Sequence, residues 1–344
     1  MNLDDRIEAF SKLGLSLQNY THSKDTDSNF SQKLTNVVRK AELENAWFTK
    51  AHIHDALKDW SEALSDEQLH RWLSTYDFDK LTPKKIAVVM AGNIPLVGFH
   101  DFLSVLISGH SFVGKLSSND SLLIPFLAEE LIKIQPEFSS IIEFTKEKLP
   151  RFDAVIATGS NNTARYFEYY FKDKPHIIRK NRNAVAILTG KETKNELQPL
   201  GEDIFRYFGL GCRNVSKVFV PEGYDFKAFF EAIFPYQEVI HHHKYANNYD
   251  YNKAVYLMSS VKLKDNGFLI LKEDTAFSSP IGVLFYESYT KLSELQHKLD
   301  KEQEHIQCSV GQVDFTQVDF GKAQHPQLTD YADGVDTIEF LITT

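Results

Sequence analysis

The hydrophobic rhythm of the chain changes near residue 84. Before it, apolar residues recur at helical spacing: Ile7, Phe10, Leu13 and Leu15, then Trp47, Ile53, Leu57 and Trp60. Residues 1 to about 75 are therefore predicted to be helical, with Ser65 ahead of Asp66, Glu67 and Gln68 as a helix start. From 84 onward, short apolar runs alternate with helix-like stretches. Runs 85–90, 111–116, 152–157, 176–178 and 184–188 predict strands, and 98–108, 122–134 and 161–171 predict helices, the first of these capped by Gly109. Such alternation predicts a parallel sheet covered by helices on both faces, with ligands bound at the carboxyl ends of its strands.

A second α/β unit is expected after about 190. Its predicted strands are 217–221, 255–258, 268–271 and 281–285, with helices at 226–233 and 291–299, a loop at 244–249, and a last strand at 337–342. The resulting division is an N-terminal helical region with a first α/β domain (1–182), a smaller α/β domain (183–320), and a C-terminal segment (321–344) that returns to the sheet or forms an oligomer contact.

Composition narrows the function classes. The chain is 42% hydrophobic and 25% charged, an ordinary globular balance, and its 26 Phe and 15 Tyr supply core. The net charge of -9, with no basic cluster, argues against a nucleic-acid partner. Apolar runs such as 86–90 and 103–107 fall far short of the roughly 20 residues that span a bilayer. The start, Met1-Asn2-Leu3-Asp4-Asp5-Arg6, is too polar for a signal peptide. Two distant cysteines, Cys212 and Cys308, fit a reduced, cytoplasmic protein.

Four stations carry candidate chemistry. Asn93, in Gly92-Asn93-Ile94-Pro95 after a strand, has an amide that can donate to a developing oxyanion. Lys115, at a strand end, can hold ribose hydroxyls or a phosphate. Thr158-Gly159-Ser160 lies between a strand and a helix, where glycine admits a phosphate and the helix N-terminus favours its charge. Cys212, flanked by Gly209 and Gly211, can approach a substrate closely. A turn asparagine, an exposed lysine and an inert buried thiol are the bland readings of these residues taken singly.

In order, the four resemble the aldehyde dehydrogenase superfamily, and more closely the LuxC-type acyl-CoA reductases, the reductase component of the bacterial luminescence fatty acid reductase. Gly92-Asn93-Ile94-Pro95 is similar to the W-N-F-P turn, whose Asn lines the oxyanion hole. Phe112-Val113-Gly114-Lys115-Leu116-Ser117-Ser118 is similar to V-V-L-K-P-S-E, and Ala157-Thr158-Gly159-Ser160 to F-T-G-S, where a pyrophosphate sits. Gly209-Leu210-Gly211-Cys212 followed by Ser216-Lys217-Val218-Phe219-Val220 is similar to G-Q-x-C followed by S-R-x-F-V. The resemblance spans about 80–290. It implies an aldehyde dehydrogenase-like fold, with a Rossmann-type cofactor domain and a smaller catalytic domain. It also implies Cys212 as nucleophile and Asn93 as oxyanion donor, with a nicotinamide cofactor held by Lys115, Ser118, Gly159 and Ser160.

The departures from the pattern sharpen the expectation. Where hydrolytic members carry a general-base glutamate, this chain reads Ile178-Arg179-Lys180-Asn181-Arg182-Asn183, without an acid. An enzyme that passes its acyl group to a thiol does not need that base. Ser118 stands where NAD-preferring members often have Glu, which leans toward NADPH, with NADH as the alternative. The E-x-F-G-P segment is nearest to Thr275-Ala276-Phe277-Ser278-Ser279-Pro280, with no glutamate in register. The expected function is reduction of an acyl thioester to an aldehyde through an acyl-cysteine intermediate, with coenzyme A as leaving group. The rivals are an acyl-phosphate reductase and a non-catalytic binding subunit of an acyl-processing complex. An acyl-donating enzyme partner and a homo-oligomer are also implied. His241-His242-His243 has no ligand-spaced Cys or acid nearby, and no metal is expected there.

Overall fold

The N-terminal helical rhythm forms α1 (Leu3–Thr21), α2 (Asn29–Glu44), α3 (Lys50–Ala63) and α4 (Asp66–Leu73). Asn2 and Asp5 close a capping box on α1, and Thr49 caps α3 by accepting the His52 N–H. Ile7, Phe10, Leu13 and Leu17 of α1 are buried along one face. The computed structural model describes residues 1–23, 27–78 and 81–344; positions 24–26, inside the predicted helical region, lie outside them. The described chain divides into two units, Met1–Lys180 with Gln327–Thr344, and Asn181–Pro326.

The first unit builds its sheet from β1 (Lys85–Val89), β2 (Ser111–Lys115), β3 (Ile142–Thr145), β4 (Ala154–Thr158) and β5 (His176–Arg179). The helices between them are α5 (Phe99–Ile107), α6 (Leu123–Ile134) and α7 (Asn161–Phe171). The strand order is β3-β2-β1-β4-β5, all parallel, so the sheet runs outward in both directions from β1. That is the order of a dinucleotide-binding half-fold, with its switch point between β1 and β4. Ile86, Ala87 and Val88 of β1 are fully buried, as the near-continuous apolar run of a two-sided parallel strand requires. The sequence reading missed β3, an edge strand with no fully buried residue.

The predicted strand at 337–342 is instead a helix, Thr337–Thr343. Asp336 caps it through its carboxylate on the Glu339 N–H, and Ile338 and Leu341 are buried at helical spacing. The segment is tied back by polar contacts within the same unit. The buried His110 ring accepts the Lys84 N–H (3.0 Å) and donates to the Leu341 carbonyl (2.9 Å). The Trp72 indole donates to the Tyr331 hydroxyl, 2.7 Å away.

The second unit contains β6 (Asn183–Ile187), α8 (Lys194–Leu197), α9 (Leu200–Phe205), β7 (Val215–Pro221) and α10 (Lys227–Ile233). It continues with α11 (His243–Met258), β8 (Leu263–Asp265), β9 (Ile270–Glu273), β10 (Val283–Tyr289), α12 (Leu292–Lys301) and β11 (Ile306–Gly311). The sheet order is β11-β6-β7-β10-β9-β8, parallel except for the antiparallel edge pair β8–β9. Two expectations are corrected here: the predicted strand at 255–258 and the predicted loop at 244–249 both belong to α11. That helix buries Tyr245, Tyr249 and Asn252, while Leu257 and Met258 at its end are exposed, so the apolar run there is not a core strand. Among the described residues, no helix is long and apolar enough to cross a membrane.

Candidate active site

In the first unit, the sequence-predicted residues gather on one edge of the sheet. Lys115 ends β2 directly beside Val89 of β1, Asn93 lies in the turn that leaves β1, and Gly159 and Ser160 follow β4. Asn93, Lys115 and Gly159 are half-buried, and Ser118 and Ser160 are exposed. Ser160 caps α7, its hydroxyl accepting the Thr163 N–H at 3.3 Å. At Gly159 a side chain would be crowded, with a Cβ lying 3.0 Å from Thr163 and Phe167.

The Asn93 turn is tightly built. A Cβ on Gly92 would fall 2.4 Å from the Ser117 hydroxyl, so the turn and the 117–120 loop touch through that glycine. Leu96 adopts φ 59°, a left-handed conformation that a leucine rarely takes. Its N–H donates to Asp120 Oδ2 at 3.0 Å. Asp120 is buried, and burial pushes its carboxyl up to about 6, against the opposing pull of the Leu96 and Leu123 N–H groups. The sequence reading missed Asp120; the only signal was an acid three residues beyond Ser117.

The stretch without an acid contains Arg179, at the end of β5. Its guanidinium is buried, bonds Asp101 of α5 at 2.6 Å and donates to the Thr337 hydroxyl at 3.1 Å. A buried cation in an ion pair thus occupies this stretch.

In the second unit, Cys212 sits on the connection from α9 to β7. Tyr207, Phe208 and Gly209 are consecutively left-handed, at φ 52°, 57° and 79°. Two bulky aromatic residues in that region are strained, and strain of this kind persists only where the surroundings impose it. Residues 211–214 form a turn closed by the Asn214 N–H on the Gly211 carbonyl, 3.1 Å. Cys212 is exposed at this turn, whereas Cys308 is buried in β11. The Phe208 ring stacks on His242, with centroids 4.1 Å apart. That contact gives the His241-His242-His243 run a packing role. Among the described residues, no group of three or more His, Cys, Asp or Glu side chains could hold a metal.

Further contacts brace the same region. Asp203, fully buried in α9, accepts the N–H groups of Gly321 (2.6 Å) and Ala323 (2.9 Å), and burial pushes its carboxyl up to about 7. In β7, Ser216 donates to the Phe277 carbonyl (2.5 Å), and the buried Lys217 donates to the Thr275 carbonyl (2.9 Å) and to Glu287 (2.6 Å). The 275–277 segment is therefore held against the strand that follows the thiol. A small pocket beside this connection is lined by Phe205, Phe208, Gly209, Tyr245, Leu269 and Ile281, among others.

A family profile described as acyl-CoA reductase (LuxC) matches residues 3–234. No curated protein matches the chain. Among solved structures, aldehyde dehydrogenase 21 from Physcomitrella patens, in complex with the reaction product succinate, is similar with a TM-score of 0.67 and 12% identity, covering 100% of this chain and 84% of that one. An aldehyde dehydrogenase from Bacillus cereus gives a TM-score of 0.64 and 12% identity over 91% of this chain and 72% of that one. An indole-3-acetaldehyde dehydrogenase mutant from P. syringae, in complex with NAD+ and IAA, gives 0.58 and 13% over 86% and 72%. At these identities the likeness is one of fold, and the fold is that of the aldehyde dehydrogenases.

Proposed function

The chain belongs to the acyl-CoA reductase (LuxC) family, and from that premise we propose that it reduces an acyl-CoA to the aldehyde with NADPH, through an acyl group carried on Cys212. The observation that carries this reading is the exposed thiol on the strained 207–214 connection, in a chain of this family. The Cys212 thiolate attacks the thioester carbonyl, a new S–C bond forms, the bond to the coenzyme A sulfur breaks, and coenzyme A leaves as its thiolate. The Asn93 amide and the Cys212 N–H are assigned to the oxyanion. Collapse of the thiohemiacetal returns the thiolate and releases the aldehyde.

The carboxyl edge of the first unit suits a dinucleotide. The strand order reverses about β1, and the α7 N-terminus follows Gly159 and Ser160 there. We assign Gly159 and Ser160 to the pyrophosphate and Lys115 to the ribose. Ser118 brings no carboxylate that would repel a 2′-phosphate, which favours NADPH. A reduced nicotinamide, when bound, supplies the hydride. With Arg179 in a buried ion pair, the 178–183 stretch offers no base to activate water, which supports transfer to a thiol over hydrolysis.

Intact-protein mass spectrometry after incubation with acyl-CoAs, without reductant, tests the proposal. An acyl adduct on Cys212 that disappears on adding NADPH, with aldehyde formed, is the expected result. Adducts from acyl phosphates alone, or none from either donor, would refute it.

A further inference from the structure

We infer that Asn214 is the positioning residue that sets the direction of the Cys212 N–H; this rests on the reading of Cys212 as nucleophile. Asn214 is 1% exposed. Its Oδ1 accepts the Gly211 N–H at 2.7 Å, and its own N–H donates to the Gly211 carbonyl at 3.1 Å. Both peptide planes that precede Cys212 are therefore bonded to this one residue. The first is fixed by the Asn214 side chain through its N–H, the second by the Asn214 backbone N–H through its oxygen, and the Cys212 N–H belongs to the second; the side chain keeps that second bond in place by anchoring residue 214 to the end of α9. A peptide is planar, so fixing its C=O fixes its N–H.

The same side chain also reaches the other end of the bend. Its Nδ2 donates to the carbonyls of Arg206 (2.9 Å) and Asp203 (3.0 Å), with Ile204 at 3.4 Å. These lie at the C-terminal end of α9, where helix carbonyls run out of intrahelical partners. Between these anchors lie Tyr207, Phe208 and Gly209, all left-handed. Backbone in that conformation relaxes unless held. One planar amide holds it, with its acceptor turned to the thiol side and its donors to the helix side. No other amino acid of this size offers an acceptor and two donors in that arrangement.

The test compares two reactions of the same thiol in the wild type, Asn214→Ala and Asn214→Asp. Acylation by saturated acyl-CoAs, from butyryl to palmitoyl, passes through an oxyanion and needs the Cys212 N–H in place. Alkylation by iodoacetamide has no such intermediate. Both variants are expected to keep their circular dichroism and a cooperative thermal transition, with acylation falling about 100-fold and alkylation staying within about threefold of wild type. Acylation at the wild-type rate would overturn the inference, as would an equal fall of both reactions. So would unfolding of both variants, which would make Asn214 a residue of the fold alone. If the wild type itself forms no adduct on Cys212, the functional reading fails first and the inference with it.

Discussion

The two turns assigned to the chemistry solve one problem by different means. In the first unit, the turn after β1 puts Leu96 in left-handed backbone and pins its N–H with the Asp120 carboxylate. In the second, the turn before β7 puts Tyr207 and Phe208 there and pins both ends with the Asn214 amide. A carboxylate titrates and an amide does not. The first turn is thus sensitive to pH at its pin. The second is sensitive one step away, where Asn214 leans on the Asp203 carbonyl and the Asp203 carboxyl holds Gly321 and Ala323. Burial has placed ionisable groups beneath both turns, but only one of them touches its strained residue.

The comparison can be broken or sharpened by experiment. The largest effect is expected from Cys212→Ala, which should remove the acyl adduct and lower aldehyde formation by at least about 10³-fold, measured by mass spectrometry and nicotinamide absorbance. Next comes pH. The fold raises the Asp203 pKa from 3.8 to about 7, so it favours the neutral form. The stability this contributes is complete below pH 4 and is lost as pH rises toward about 7, by about 4 kcal/mol. Asp120, raised from 3.8 to about 6, should lose about 3 kcal/mol between about pH 4 and 6. Urea midpoints across this range should fall with rising pH, and Asp203→Asn and Asp120→Asn should each flatten their own window. A pH dependence of the midpoint that neither substitution changes would remove the titratable element from the comparison.

A smaller effect is expected from Gly92→Ala. Its Cβ would press on Ser117 and on the Asp120 backbone, with a cost of about 1–3 kcal/mol in denaturant unfolding. The smallest is Ser118→Glu. On this exposed residue stability should hardly change, while the ratio of kcat/KM for NADPH to that for NADH should fall by about tenfold, or 1.4 kcal/mol. An unchanged ratio would remove Ser118 from the cofactor assignment.

Much of this was legible in the chain. β1, β2 and β4 announce themselves as apolar runs that end at Lys115 or a few residues before Asn93 and Gly159, because a strand buried on both faces needs little besides apolar residues. The unread parts have physical causes. Val255-Tyr256-Leu257-Met258 is a short apolar run of the kind that suits strand and helix equally, and only the burial of Tyr245, Tyr249 and Asn252 decides for helix. The Thr337–Thr343 helix is rich in β-branched residues, and its one clear signal is the Asp336 cap. β11 was missed because Ser309 and Gln307 dilute its apolar pattern. Asp120 holds a backbone N–H 24 residues away, and Asn214 holds carbonyls 8 and 11 residues away, and no local pattern reports such bonds.

The first unit is discontinuous, since residues 327–344 return to it after the whole second unit has been made. Until they arrive, Thr337 cannot receive the Arg179 guanidinium, the His110 ring has no Leu341 carbonyl, and the Trp72 indole lacks the Tyr331 hydroxyl. During synthesis these contacts of the N-terminal sheet therefore form last. Long-range closure of this kind is slow and exposes apolar surface to aggregation.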